Sequence, residues 1–127
     1  MTVGLDATRT ESIRTGVEDP YSFSYTPTST PKAIIVCASN PESATDHIVG
    51  ITYGGVAMTR VATATDTAGE PLRSYIYELL SSVPSGTQTV EVDLASATTE
   101  DIVFTVFGLT SAGNAIERID SDTLSEN

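Results

Sequence analysis

Cys37 and His47 are the only thiol and the only imidazole in this 127-residue chain. A nucleophilic cysteine needs a histidine partner in space. Cys37 lies inside the apolar run "AIIVCAS", which reads as a buried structural thiol. One Cys and one His cannot complete a three- or four-ligand nitrogen–sulfur zinc site, and a single Cys leaves no intrachain disulfide. Oxygen chemistry is better supplied. Asp46, Asp66, Glu70 and Asp93 fall in or near loops and are the carboxylates to weigh for calcium, but the D-x-x-x-E spacing of 66 to 70 matches no EF-hand loop. Solvated loop carboxylates are the simpler reading, so no metal site is expected. A glycosidase would need two carboxylates set across a cleft. The acid closest to apolar surroundings is Glu78 in "YIYELL", which reads as an outward-facing strand residue or an edge charge. No phosphate-cradling loop, GxSxG elbow, HExxH helix or CxxC pair occurs. No catalytic or cofactor-binding residue is therefore assigned, and the chain is not expected to be an enzyme.

Aromatic side chains offer a different chemistry, stacking on sugar rings. There is no Trp, and the aromatics are five Tyr and three Phe. Tyr53, Tyr75 and Tyr77 are the candidates for such a surface, weighed against ordinary cross-strand packing.

The elements that must carry these residues are strands. "YSFSYT" alternates, with Tyr21, Phe23 and Tyr25 on one face, and "PTSTP" ends it because Pro27 and Pro31 do not fit a central strand. "KAIIVCAS" is a continuous apolar run that reads as a strand buried on both faces. "HIVGITY" and "VAMTRVAT" flank Gly54-Gly55, a two-residue hairpin loop that calls for positive φ. "LRSYIYELL" puts Leu72, Ser74, Ile76, Glu78 and Leu80 on one face and Arg73, Tyr75, Tyr77 and Leu79 on the other. Pro84 and Gly86 mark the turn before "TQTVEVDL", where Val90, Val92 and Leu94 alternate with Thr89, Glu91 and Asp93, the pattern of a sheet with one solvated face. "DIVFTVFGL" is the most apolar strand and should be central, and "AIERI" adds a short edge strand.

The series is seven to eight short strands with no long helix. That predicts an all-β antiparallel β-sandwich, jelly-roll or immunoglobulin-like. Twenty Thr suit half-buried pleated surfaces. Residues 1–20, punctuated by Gly4, Gly16 and Pro20, read as an extended N-terminal arm. Residues 21–120 read as the sandwich domain and 121–127 as a polar C-terminal tail.

Seventeen acids against six bases give a formal net charge of -11. That argues against binding nucleic acid through its phosphates and against anionic membranes. The first twenty residues lack the basic start and apolar core of a signal peptide, and no run is long and apolar enough for a membrane span. The expectation is synthesis in a cytoplasm.

"FSYTPTSTPKAIIVCAS", "ITYGGVAMTRVATATD", "SYIYELLSSVPSGTQTVEVDL" and "DIVFTVFGLTSAG" together resemble a β-sandwich module of predicted tailed-bacteriophage structural proteins and bacterial surface proteins. Its marks are T-Y-G-G followed by "TRVA", then P-x-G-T-Q-T-V, then an apolar strand closing in Gly. The resemblance spans about residues 22 to 113. Related modules often carry further strands and sit inside larger proteins. The resemblance implies no catalytic residues. It implies a binding or structural domain. With the extended arm, the lack of an export signal and of a disulfide, and the strongly acidic composition, the expectation is a virion structural protein made in the host cytoplasm, a capsid decoration or head–tail appendage component. The expected partners are further copies of itself and a major capsid or other virion protein. A carbohydrate-binding or host-adhesion module, with a glycan as partner, is the alternative.

Overall fold

The computed structural model describes residues 2–15, 19–95, 101–113 and 115–117. These residues form nine strands in two sheets, every pairing antiparallel, with no helix among them. The strands are β1 (Val3–Arg14), β2 (Tyr21–Tyr25), β3 (Ala33–Asn40), β4 (Ile48–Tyr53), β5 (Val56–Ala57), β6 (Thr59–Asp66), β7 (Leu72–Leu79), β8 (Gln88–Leu94) and β9 (Ile102–Ser111). The five-stranded sheet runs β1-β9-β3-β7-β6 and the four-stranded sheet β2-β8-β4-β5.

β5 and β6 are one strand bent at Met58, whose buried side chain and backbone N–H bond to the Ile51 carbonyl (2.9 Å) hold the corner. The strand leaves the four-stranded sheet there and enters the other through a bulge between Arg60 and Ala62. Counted so, the described residues form eight strands. The orders β1-β9-β3-β7 and β2-β8-β4-β5 are then the two interleaved halves of a jelly roll.

Alternation explains which residues fill the gap between the sheets. Ile34, Val36 and Ala38 of β3, Val90, Val92 and Leu94 of β8, and Ile102, Phe104 and Val106 of β9 are buried, and Tyr21, Phe23 and Phe104 stack at 5.6–5.8 Å. Burying these side chains contributes roughly 1.5–3 kcal/mol each against the entropy of ordering the chain.

The N-terminal arm is not observed: Val3–Arg14 is the longest strand and pairs with β9 over its length. Its alternation escapes a search for apolar periodicity because the polar side chains face inward. Asp6 and Arg14 are buried, while Val3, Leu5 and Ile13 are exposed. β1 lies where the two sheets meet, and β2 supplies partners. Thr8 Oγ donates to the Thr26 carbonyl (2.9 Å), Tyr25 Oη donates to the Thr8 carbonyl (3.0 Å), and Ser12 Oγ bonds the Tyr21 hydroxyl. The sandwich therefore begins at residue 3, not 21. The strand expected over "AIERI" is also absent at Ala115–Glu117; its last two residues, like the 121–127 tail, lie outside the described residues.

Candidate interaction surface

The tyrosines give no stacking platform. Tyr53, Tyr75 and Tyr77 are at most 2% exposed, and all five tyrosines of the chain belong to the core. Each ring fills the gap between the sheets, and most of the hydroxyls reach polar partners. Tyr75 Oη accepts from His47 N and donates to the Thr45 carbonyl (both 3.3 Å), and Tyr77 Oη accepts from Arg60 Nε (2.8 Å). Tyr53 Oη is buried without a partner, and burial pushes its pKa up to about 12.

The turn residues are placed as expected, and the structure adds why their motifs occur together. Gly54 and Gly55 both have positive φ, +55° and +80°, in the β4–β5 hairpin, and Gly86 has φ +73°. Gly54 N–H donates to the Thr89 carbonyl (2.9 Å). A Cβ on Gly54 would stand 2.6 Å from Gln88 Oε1 and 3.0 Å from Pro84 Cγ, so the T-Y-G-G turn is seated directly on the P-S-G-T-Q turn. Gly108 in β9 has a parallel reason: a Cβ there would meet Pro31 Cβ at 3.0 Å and Tyr25 Oη at 3.3 Å. These glycines are structural.

Two of the four loop carboxylates weighed for calcium, Asp46 and Asp66, are occupied in ion pairs and a turn. Asp46 takes both Arg60 (2.6 Å) and Arg73 (3.3 Å), and the Arg60 guanidinium lies over Tyr75 and Tyr77. Burial alone would raise the Asp46 pKa, but the Arg60 bonds and the two positive charges hold it below the usual carboxylate range. The cluster clamps β6 and β7 to the loop before β4. Asp66 accepts from the Ala68 N–H in its own turn (2.8 Å). Among the described residues no three His, Cys, Asp or Glu gather at a metal-holding distance. Asp6, which the sequence did not single out, is the most heavily bonded acid. Its Oδ1 accepts from the N–H and hydroxyl of Thr8 and of Thr28, and its Oδ2 from the N–H and hydroxyl of Ser29, all at 2.8–3.0 Å. Burial alone would raise its pKa; the Thr28 and Thr8 N–H groups and the Thr8 and Ser29 hydroxyls drive it far below the usual range instead. With every bond a donor aimed at it, Asp6 is a knot joining β1 to the β2–β3 loop.

What remains is a surface. Register places Val3, Leu5, Arg9, Glu11 and Ile13 of β1 on the outer face of the five-stranded sheet. Beside them run Val103, Thr105, Phe107 and Leu109 of β9, Ile35, Cys37 and Ser39 of β3, Leu72, Ser74, Ile76 and Glu78 of β7, and Thr59, Ala62, Ala64 and Asp66 of β6. Among the described residues, six of the seven exposed large apolar side chains are on this face: Val3, Leu5, Ile13, Leu72, Ile76 and Val103. The seventh, Val49, is at a bulge in β4. Cys37, read as a buried structural thiol, is only partly buried here, on the outer side of β3, and that burial raises its pKa. Glu78 faces outward, as read from its strand. Near Leu5 the β1 bulge opens a concavity of ≈ 470 Å³ lined by Leu5, Ala7, Arg9, Thr105 and Phe107. The outer face of the four-stranded sheet is of opposite character, with Ser22, Ser24, Thr52, Thr89, Glu91 and Asp93. The sequence carried one signal of this sidedness: the two runs read as most apolar, over β3 and β9, have apolar residues in both phases.

Fold and surface together define a small jelly-roll sandwich with one apolar and one polar outer face. Comparison of the chain with protein-family models, with curated proteins and with solved structures returned no match.

Proposed function

We propose that the chain is a non-enzymatic structural protein of a tailed-phage virion. In this reading it is a capsid decoration or head–tail appendage component that works as a symmetric homo-oligomer on a major capsid or other virion protein. The observation that supports the reading is the sidedness of the sandwich. Exposed large apolar side chains gather on one sheet face, and exposed apolar patches rimmed by polar residues mark interaction surfaces. A jelly roll is also a fold that capsid proteins use, although fold alone does not decide function. The glycan-binding alternative drew on Tyr53, Tyr75 and Tyr77, which face the core, so no observation now favours it. Mass spectrometry of density-purified particles from the organism carrying the gene tests the proposal. Peptides of this chain should be present in fixed stoichiometry to the major capsid protein. Their absence from particles, with the protein abundant in the lysate, refutes it.

A further inference from the structure

We infer that the outer face of the five-stranded sheet is the contact between two copies of this chain, related by a two-fold axis that passes beside Cys37. The inference deepens the assembly part of the proposed function and does not depend on the virion.

Area comes first. Five strands at about 4.8 Å spacing are roughly 24 Å wide, and an eight-residue strand such as β3 is about 26 Å long. The face is then about 600 Å² per copy and about 1,250 Å² for a pair, above the ~1,000 Å² that separates specific interfaces from incidental ones. Apolar character is concentrated there, with six of the seven exposed large apolar side chains of the described residues.

Charge selects the occupant. Two copies each carrying -11 repel, and they can approach closely only through a face where acids are few. On this face Arg9 and Glu11 pair at 3.3 Å, the strand acids Glu78 and Asp66 lie on β7 and β6 at the far side, and Asp101 stands at its end, just before β9. Two sheets packed face to face are related by an axis lying in their interface. With that axis along β3, β1 of one copy lies over β6 of the other. Glu11 then faces the partner's Ala62, and Arg9 comes within reach of the partner's Glu78. The middle row of the face is Glu11, Thr105, Cys37, Ile76 and Ala62. Cys37 is on its central strand, so it lies beside its own symmetry mate.

The test uses the full-length protein. Sedimentation velocity should show a dimer in moderate salt, weakening as salt is lowered because screening of the like charges is lost. A short bismaleimide should join two chains through Cys37, and Cys37→Ser should abolish the cross-link without changing the sedimentation. Ile76→Glu and, separately, Val103→Glu should weaken the dimer at least tenfold, while Val49→Glu on the other sheet leaves it unchanged; circular dichroism checks that each variant folds. A wild-type monomer at 100 μM, or a dimer indifferent to both substitutions, overturns the inference. If the wild type is monomeric but Ile76→Glu releases it from virions, the face belongs to the shell protein; the two-copy contact falls and the virion reading stands.

Discussion

Substituting Gly54 by Ala probes whether the seating of one turn on another is what holds the four-stranded sheet's end in place. Two terms add at this position. The first is conformational: with φ at +55°, an L side chain in the left-handed region costs about 1 kcal/mol relative to Gly. The second is steric. The new Cβ would stand 2.6 Å from Gln88 Oε1, 3.1 Å from Gln88 Cδ and 3.0 Å from Pro84 Cγ. Gln88 must swing away, which breaks its Nε2 bond to the Ser85 carbonyl (2.5 Å) at about 1 kcal/mol. The Pro84 ring cannot rotate aside, which adds about 1 kcal/mol of overpacking. The sum is about 3 kcal/mol. Gly55 is the internal control: its φ is +80°, nothing lies within 4 Å of a Cβ there, and Gly55→Ala should cost only the conformational ~1 kcal/mol. In thermal denaturation these become losses of about 12 °C and about 4 °C for a domain of this size. Gln88→Ala in the Gly54→Ala background should recover about 1 kcal/mol relative to the sum of the single changes, since it removes two of the three colliding atoms. Equal losses at Gly54 and Gly55, or strict additivity with Gln88→Ala, would refute the close seating of the two turns.

Asp6→Asn should cost about 3 kcal/mol at neutral pH, because the amide turns an N–H toward donors that had an acceptor. The folded-state pKa of Asp6 lies far below its unfolded value of about 3.9. Its stabilisation is therefore complete above about pH 4 and lost as pH falls toward the folded value. Denaturant titrations between pH 7 and pH 2 should show the wild type losing its advantage over Asp6→Asn on acidification; a constant difference refutes the knot. Tyr53→Phe should leave stability unchanged or raise it by up to about 1 kcal/mol, since it deletes a buried hydroxyl without a partner. A loss above 1 kcal/mol in urea would show that Oη is bonded. Deleting residues 1–14 should abolish cooperative unfolding, because it bares the edge of β9 and removes Asp6; a truncated protein with the wild-type midpoint would show β1 to be dispensable.

The strands with clean alternation were legible from residue types alone. In "TQTVEVDL" period two separates Val90, Val92 and Leu94 from an outer set, and these are the residues buried in β8; in "LRSYIYELL" it separates the two faces of β7 without saying which is covered. The Gly54-Gly55 turn was legible as well, because positive φ leaves few alternatives to glycine. β1 was not. Its inward side chains are Asp6, Ser12 and Arg14, and polar residues face inward only where another strand brings them partners, as β2 and the loop after it do here. That is a long-range fact with no local trace. The tyrosines failed for a related reason. Period two showed that Tyr75 and Tyr77 share a face, but which face is covered depends on the opposite sheet, and the strand order that brings it there was undetermined until the chain was folded. The same holds for the surface. Leu5, Ile13, Ile76 and Val103 are separated by up to 98 residues in sequence, and only the order β1-β9-β3-β7 lays them side by side. The strands of a sandwich are local properties of the chain; its faces are properties of the pairing, and contacts distant in sequence decide them.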